Sequence, residues 1–148
     1  MGIEYVVSAC LAGLECNYEG KCKTSERVAR LVKTGKAIPI CPEQLGGLPT
    51  PRKFIEIVGG SGEDVLDGKA RVIARDYFEV TPQFIKGAQE SLKLAKLVNA
   101  KKAILKSRSP SCGCGKIYDG NFNGGLKEGN GVTAALFLRE GIEVETEN

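Results

Sequence analysis

Histidine is missing altogether from the 148 residues, and so is tryptophan. Without an imidazole there is no Ser-His or Cys-His dyad, and every His-ligated metal site is excluded. No apolar run approaches the ~20 residues needed to span a bilayer. The opening MGIEYVVSAC has neither a basic segment nor a long apolar stretch, so it does not read as a signal peptide. Val6 stands where a myristoylated terminus would carry Ser or Thr. These absences make a cytoplasmic protein with no membrane partner the expectation. Charge of one sign is scarce too: 21 Lys and Arg stand against 18 Asp and Glu, leaving +3. The basic residues are interleaved with acidic ones, so the electrostatic footprint of a dedicated nucleic-acid binder is missing. KLAKLVNAKKAILK is the densest basic stretch, and a solvated helix face explains it.

What is present is an ordinary soluble composition, 42% hydrophobic and 26% charged, in a chain long enough for one substantial core. IEYVVSAC, KAIPIC, KKAILK and IEVET are short apolar runs that read as strands. KTSERVARLVKTG reads as a helix, with Thr24 or Ser25 as N-cap and Gly35 at its end. A longer helix begins at TPQF, with Thr81 as N-cap, Pro82 in the first turn and Ile85, Ala88, Leu92, Ala95 and Val98 on one face. GVTAALFLREG is a last helix closed by Gly141. FIEIVGG and ARVIAR are strand candidates for a hairpin or an edge, joined by a Gly/Asp-rich turn. PEQLGGLPTPR, broken by glycines and prolines, reads as irregular. The alternation of strands and helices over residues 1–148 predicts a single α/β domain, a mainly parallel Rossmann-like sheet flanked by helices.

Six cysteines in such a chain favour metal binding or catalysis over a disulfide framework. Cys10 falls at the carboxyl end of the first predicted strand, Cys41 at the end of the second and Cys112 just past AILK. Ligands of open α/β sheets bind outside the carboxyl ends of strands, so these three cysteines are expected to converge on one crevice. There is no C-x-x-C, as a zinc ribbon or a redox dithiol would use. A lone thiolate nucleophile would need a cation such as Lys106 or Arg108. A thiolate-ligated iron–sulfur cluster needs soft ligands on a converging scaffold and fits best.

The stretches VSACLAGLECNYEGK, CPEQLGGLPTPR, LKSRSPSCG, IYDGNF and GNGVTAALFLREGIEV, in this order and spacing, resemble the thiouracil desulfidase family over essentially the whole chain. The resemblance implies a 4Fe-4S cluster held by Cys10, Cys41 and Cys112, with one iron free of protein ligands. It implies removal of sulfur from a small thiolated substrate such as 2-thiouracil, giving uracil and hydrosulfide without net redox change. Glu43 matches the acid/base residue, and Ser109, with Ser111 next, the second catalytic group. Cys16 matches a family cysteine near the cluster, whereas Cys22 and Cys114 look like extras. Where the family commonly carries Arg before a tyrosine, this chain has Asn17 and then Glu19, which leaves substrate identity open. Arg52 and Asp119 are candidates for substrate contact, and Tyr18 and Tyr118 for stacking on a pyrimidine. Gly113 and Gly115 are expected to turn the backbone around the cofactor and offer it N–H groups. A sulfur or iron–sulfur carrier and a structural zinc protein are the alternatives, and the sequence does not determine the oligomeric state.

Overall fold

The computed structural model describes residues 2–148. In chain order its elements are β1 (Tyr5–Ser8), α1 (Glu26–Lys33), β2 (Ala37–Ile40), α2 (Pro42–Leu45), β3 (Ile55–Val58), α3 (Gly62–Leu66) and β4 (Arg71–Ala74). Then follow α4 (Thr81–Leu97), β5 (Lys102–Leu105), β6 (Lys116–Tyr118), β7 (Leu126–Glu128), α5 (Val132–Arg139) and β8 (Glu143–Thr146). A single 3-10 turn, Ala9–Ala12, follows β1. The main sheet has the order β2-β1-β5-β8, with every pair parallel. Alternate residues of its strands face opposite layers. Val6, Ala103 and Leu105 pack with Ala95 of α4 and Ala134 and Phe137 of α5. Val7 and Ile104 pack on the other side with Val28 of α1 and Leu11.

β3 and β4 form a separate antiparallel ribbon. It buries Ile55, Ile57, Val72 and Ala74 against Phe84 and Ala88 of α4. The segment joining them is a short helix, α3, in which the Ser61 N–H donates to Asp64 Oδ2 at 2.9 Å. Two further local expectations are corrected. PEQL is a helical turn, because Pro42 suits its first position and Gly46 and Gly47 end it. Thr81 lies just inside α4, which Val80 caps; its hydroxyl accepts from the Val72 N–H at 2.8 Å and ties the helix start to β4. Asp119 and Gly120 open a long connection in a third small sheet, the antiparallel pair β6–β7. No helix is long and apolar enough to cross a membrane among the described residues.

Candidate active site

The strand order reverses between β1 and β5, since β2 lies on one side of β1 and β5 and β8 lie on the other. The carboxyl ends of β2, β1 and β5 therefore open onto a switch-point crevice. A cleft of about 280 Å³ lies there, lined among others by Cys10, Cys16, Cys41, Glu43, Ser111 and Cys112. That is near the lower end of the ~300–1,000 Å³ typical of small-molecule pockets. Cys10 sits in the 3-10 turn after β1, Cys41 caps α2 directly after β2, and Cys112 lies in the loop after β5. Cys10, Cys16 and Cys112 are buried, Cys41 is half-buried, and all six cysteines are free thiols.

The loop carrying Cys112 is held from two sides. The Ser109 hydroxyl accepts from the Cys112 N–H at 2.7 Å, and the Ser109 carbonyl accepts from the Gly113 N–H at 2.9 Å. The first amides of α5 reach back to it: Val132 N–H donates to Pro110 and Thr133 N–H to Ser111, both at 2.8 Å. A Cβ on Gly131 would stand 2.5 Å from the Ser111 carbonyl carbon, so only glycine lets α5 approach this closely. The expectation for the loop glycines needs correction. Gly113 N–H is spent on Ser109, and Gly115 N–H donates to Asn130 Oδ1 at 2.9 Å, so neither is free for a cofactor.

Glu43, in the first turn of α2, reaches across the cleft to this loop. Ser111 Oγ donates to Glu43 Oε2 at 2.9 Å and lies 3.6 Å from Cys112 Sγ. Ser109 Oγ lies 3.3 Å from Ser111 Oγ. The serine in contact with the carboxylate is therefore Ser111, and Ser109 stands behind it as a cap on the Cys112 amide. Arg52 donates through Nε to Glu43 Oε1 at 2.8 Å. Burial alone would lower the Arg52 pKa, but the adjacent Glu43 outweighs it and the guanidinium is held more firmly protonated. This pairing across the GGLPTP loop carried no signal in the sequence beyond the presence of both residues.

Burial pushes the Cys10 thiol up to about 12, with Cys112 adding to the shift and Lys106 opposing it. Burial likewise pushes Cys112 up to about 11, against hydrogen bonds from Ser8 and Ser111. Cys16 and Cys41 act as a pair. Their mutual interaction holds Cys41 down to about 7 and raises Cys16. The Cys41 thiol donates to the Cys16 carbonyl oxygen at 3.7 Å, and the same oxygen accepts from Arg52 Nη2 at 3.0 Å.

The donor set is all sulfur, comes from three strand ends, and is not tied up in disulfides. Cys10 and Cys112, buried in this way, become thiolates only against a strongly cationic partner. Among the described residues no three His, Cys, Asp or Glu side chains stand close enough to hold a single metal ion. A polynuclear cluster, whose ligand sulfurs bind separate metal atoms, needs wider spacing, and the cysteines suit it in softness and in placement.

Tyr18, Phe54 and Tyr118 form one wall of the cleft. Phe54 meets each tyrosine edge-on, with ring centroids 5.1 Å apart in both pairs. Phe54 escaped sequence reasoning because it reads only as a strand residue of FIEIV. Lys106 and Ser107 stand at the rim, held by Glu147 near the chain end: Ser107 Oγ donates to Glu147 Oε2 at 2.8 Å, and Lys106 Nζ lies 3.2 Å from the same oxygen. Asp119 does not line the cleft; its Oδ1 accepts from the Asn121 N–H at 2.9 Å and shapes the β6–β7 connection.

Comparison with known proteins adds three findings. A profile of the family described as 2-thiouracil desulfurase matches residues 5–148. The uncharacterized protein YbbK of Bacillus subtilis (strain 168) is 48% identical over 143 residues, covering 97% of this chain and 95% of its own length. Among solved structures, the [4Fe-4S]-dependent thiouracil desulfidase TudS superposes with a TM-score of 0.86 at 39% identity, covering 98% of this chain and 91% of that one.

Proposed function

Because the chain belongs to the 2-thiouracil desulfurase family, we propose that it is an enzyme that hydrolyses the carbon–sulfur bond of a thiolated pyrimidine such as 2-thiouracil. Water and thiouracil give uracil and hydrosulfide, with one proton released and no electrons exchanged. The observation that carries the reading is the Glu43–Ser111–Cys112 contact inside a cleft that also gathers Cys10 and Cys41.

Cys10, Cys41 and Cys112 are the proposed ligands of a 4Fe-4S cluster. A cluster with three protein ligands supplies one exchangeable iron, a Lewis acid with affinity for sulfur. The remaining work falls to the chain itself. Glu43 still has lone pairs free, because Arg52 and Ser111 occupy only two of the roughly four acceptor sites of a carboxylate. It accepts the proton of a water attacking the thiocarbonyl carbon. Ser111, hydrogen-bonded to Glu43, relays a proton toward the departing sulfur or donates to charge developing on the pyrimidine. Ser109 fixes the loop on which Ser111 and Cys112 sit. The wall of Tyr18, Phe54 and Tyr118 offers aromatic surface to a flat base. A reducing cytoplasm suits six free thiols, and residues 1–148 are read as one domain. Asp119 is left out of the substrate contacts.

The test is anaerobic. Iron and acid-labile sulfide are measured per chain with the visible spectrum, and then uracil and sulfide are followed during incubation with 2-thiouracil. Iron near four per chain and both products are expected. Cys10→Ser, Cys41→Ser and Cys112→Ser should each lose iron, whereas Glu43→Gln should keep it and lose ~10²–10⁴-fold in kcat. Zinc in place of iron would sink the cluster assignment. A cluster-loaded protein with no turnover would favour the sulfur carrier.

A further inference from the structure

Arg52 has a burial that an arginine serving only as a solvent-facing clamp would not need, with 5% of its side chain exposed. Its donors are nearly all committed within the protein. Nε donates to Glu43 Oε1 at 2.8 Å, and Nη1 donates to the Pro49 carbonyl at 3.2 Å and to Thr50 Oγ1 at 3.0 Å. Nη2 donates to the Cys16 carbonyl at 3.0 Å. One bond from Nε, two from Nη1 and one from Nη2 use four of the five guanidinium N–H groups. A side chain committed in this way has little left to grip a substrate carbonyl.

Its partners come from three separate segments around the cleft. Glu43 stands on α2, Cys16 on the loop after β1, and Pro49 and Thr50 on Arg52's own loop. That loop is fixed in turn, because Gln44 Nε2 donates to Thr50 Oγ1 at 2.6 Å and Arg52 N–H to the Tyr18 carbonyl at 2.8 Å. A carboxylate rotates easily about its last torsion, which is broad and two-fold. Glu43 is held at both oxygens, by Arg52 on Oε1 and by Ser111 on Oε2. Arg52 is itself anchored at three further points, the Pro49 carbonyl, Thr50 Oγ1 and the Cys16 carbonyl.

We propose that Arg52 is a positioning residue for the desulfuration: it fixes the plane of the Glu43 carboxylate so that Oε2 faces Ser111, and it pins the Cys16 wall to the helix that carries Glu43. The inference rests on the reading of Glu43 as the base. It replaces substrate contact as the role of Arg52. Lysine cannot substitute fully, because an ammonium is a point charge and cannot span a carboxylate and two carbonyls in a planar fork.

The experiment uses the anaerobically reconstituted full chain with 2-thiouracil and compares wild type, Arg52→Gln, Arg52→Lys, Glu43→Gln and the double variant. kcat and KM are determined separately, and iron, labile sulfide and the visible spectrum are recorded for each. A misplaced base costs about 10²-fold in rate, so Arg52→Gln is expected to lose that much in kcat. Its KM should stay within about threefold, since a residue that does not touch substrate contributes no uniform binding. Arg52→Lys should recover part of the loss. The double variant should be no slower than Glu43→Gln, because Arg52 acts through Glu43. All variants should hold wild-type iron.

A rise in KM at unchanged kcat would make Arg52 a substrate clamp and overturn the inference, as would multiplicative losses in the double variant. If Arg52→Gln fails to fold or to hold iron, Arg52→Lys decides: wild-type kcat overturns the proposal, and reduced kcat at wild-type KM and iron content supports it. Iron-loaded wild type without turnover would overturn the functional reading and this inference with it, whereas active wild type with insensitive Arg52 variants overturns the inference alone.

Discussion

Replacing Gly87 by alanine should damage the protein although it stands in the middle of a helix, where alanine is ordinarily better by about 1 kcal/mol. Gly87 of α4 faces Gly46 at the end of α2. A Cβ on Gly87 would collide with the Pro42 carbonyl oxygen, and it would lie 2.9 Å from the Pro42 carbonyl carbon and 3.3 Å from the Gly46 nitrogen. These are backbone atoms, so no side chain can swing aside. Overpacking of this kind costs ~1–3 kcal/mol and can exceed that. Set against the propensity gain, a net loss of about 1–2 kcal/mol is expected at so tight a contact. At roughly 2–4 °C per kcal/mol for a chain of this size, Tm should fall by roughly 2–8 °C. Relief of the clash would move α2 outward by about an ångström, and such a displacement of the proposed base costs about 10²-fold in rate. Cys41 caps α2 and Glu43 lies in its first turn, so kcat should fall along with Tm. Thermal unfolding and kcat with 2-thiouracil measure the two effects, and iron content checks that the cluster is loaded. Gln89→Ala, exposed on the same helix, is the control and should stay within about 0.5 kcal/mol of wild type. A Gly87→Ala protein with wild-type Tm and kcat would refute the claim that these glycines set the position of Glu43.

Two further outcomes follow from a half-buried and a fully buried carboxylate. Burial raises the Glu147 carboxyl, but its bonds to Ser107 and the charge of Lys106 outweigh this and hold it below the usual range. A depressed folded pKa gives stability that is present above the unfolded value of ~4.3 and lost as pH falls through the folded one. Denaturant midpoints between pH 6 and 3 should therefore fall more steeply for wild type than for Glu147→Gln, and parallel curves would refute the stabilising role of the Glu147 contacts with Ser107 and Lys106. Glu56 is fully buried, and its Oε1 accepts from the N–H groups of Gly120 at 2.7 Å and Phe122 at 3.2 Å. Glu56→Ala strands both donors and should cost about 2 kcal/mol, with faster amide exchange at residues 120 and 122; unchanged exchange there would show that the connection holds itself.

The parts of the fold that were legible in the sequence are those whose local signals agree with the tertiary outcome. IEYVVS, KAIPI and KKAILK are apolar because both faces of a parallel sheet are covered, and TPQF through Leu97 carries a helical period over many turns. Short elements were less legible. β6 and β7 have three residues each, too few for an alternation to register. α2 is hidden because a helix of one turn can sit between Pro42 and Gly46 without breaking any rule about those residues. Ser61 and Asp64 were visible, but the turn they cap was masked by the surrounding glycines.

The same distinction separates the two halves of the candidate site. Cys10, Cys41 and Cys112 each follow a strand, so their convergence depends only on strand order, which the alternation of elements already constrains. The Glu43–Arg52–Ser111 arrangement depends on how two loops fold over that crevice, and nothing in the spacing of those residues encodes it. Ser109 and Ser111 show the difference at its smallest. Two residues apart in one loop, they are equivalent as sequence, yet one hydroxyl accepts from the Cys112 amide and the other donates to Glu43. Strand ends thus set the proposed sulfur ligands, while loops set the proposed acid–base geometry and the aromatic wall. Changes confined to residues 43–52 or to the Tyr18 loop should accordingly alter turnover and substrate choice while leaving iron in place. Changes that shift β1 or β5 should remove the iron first.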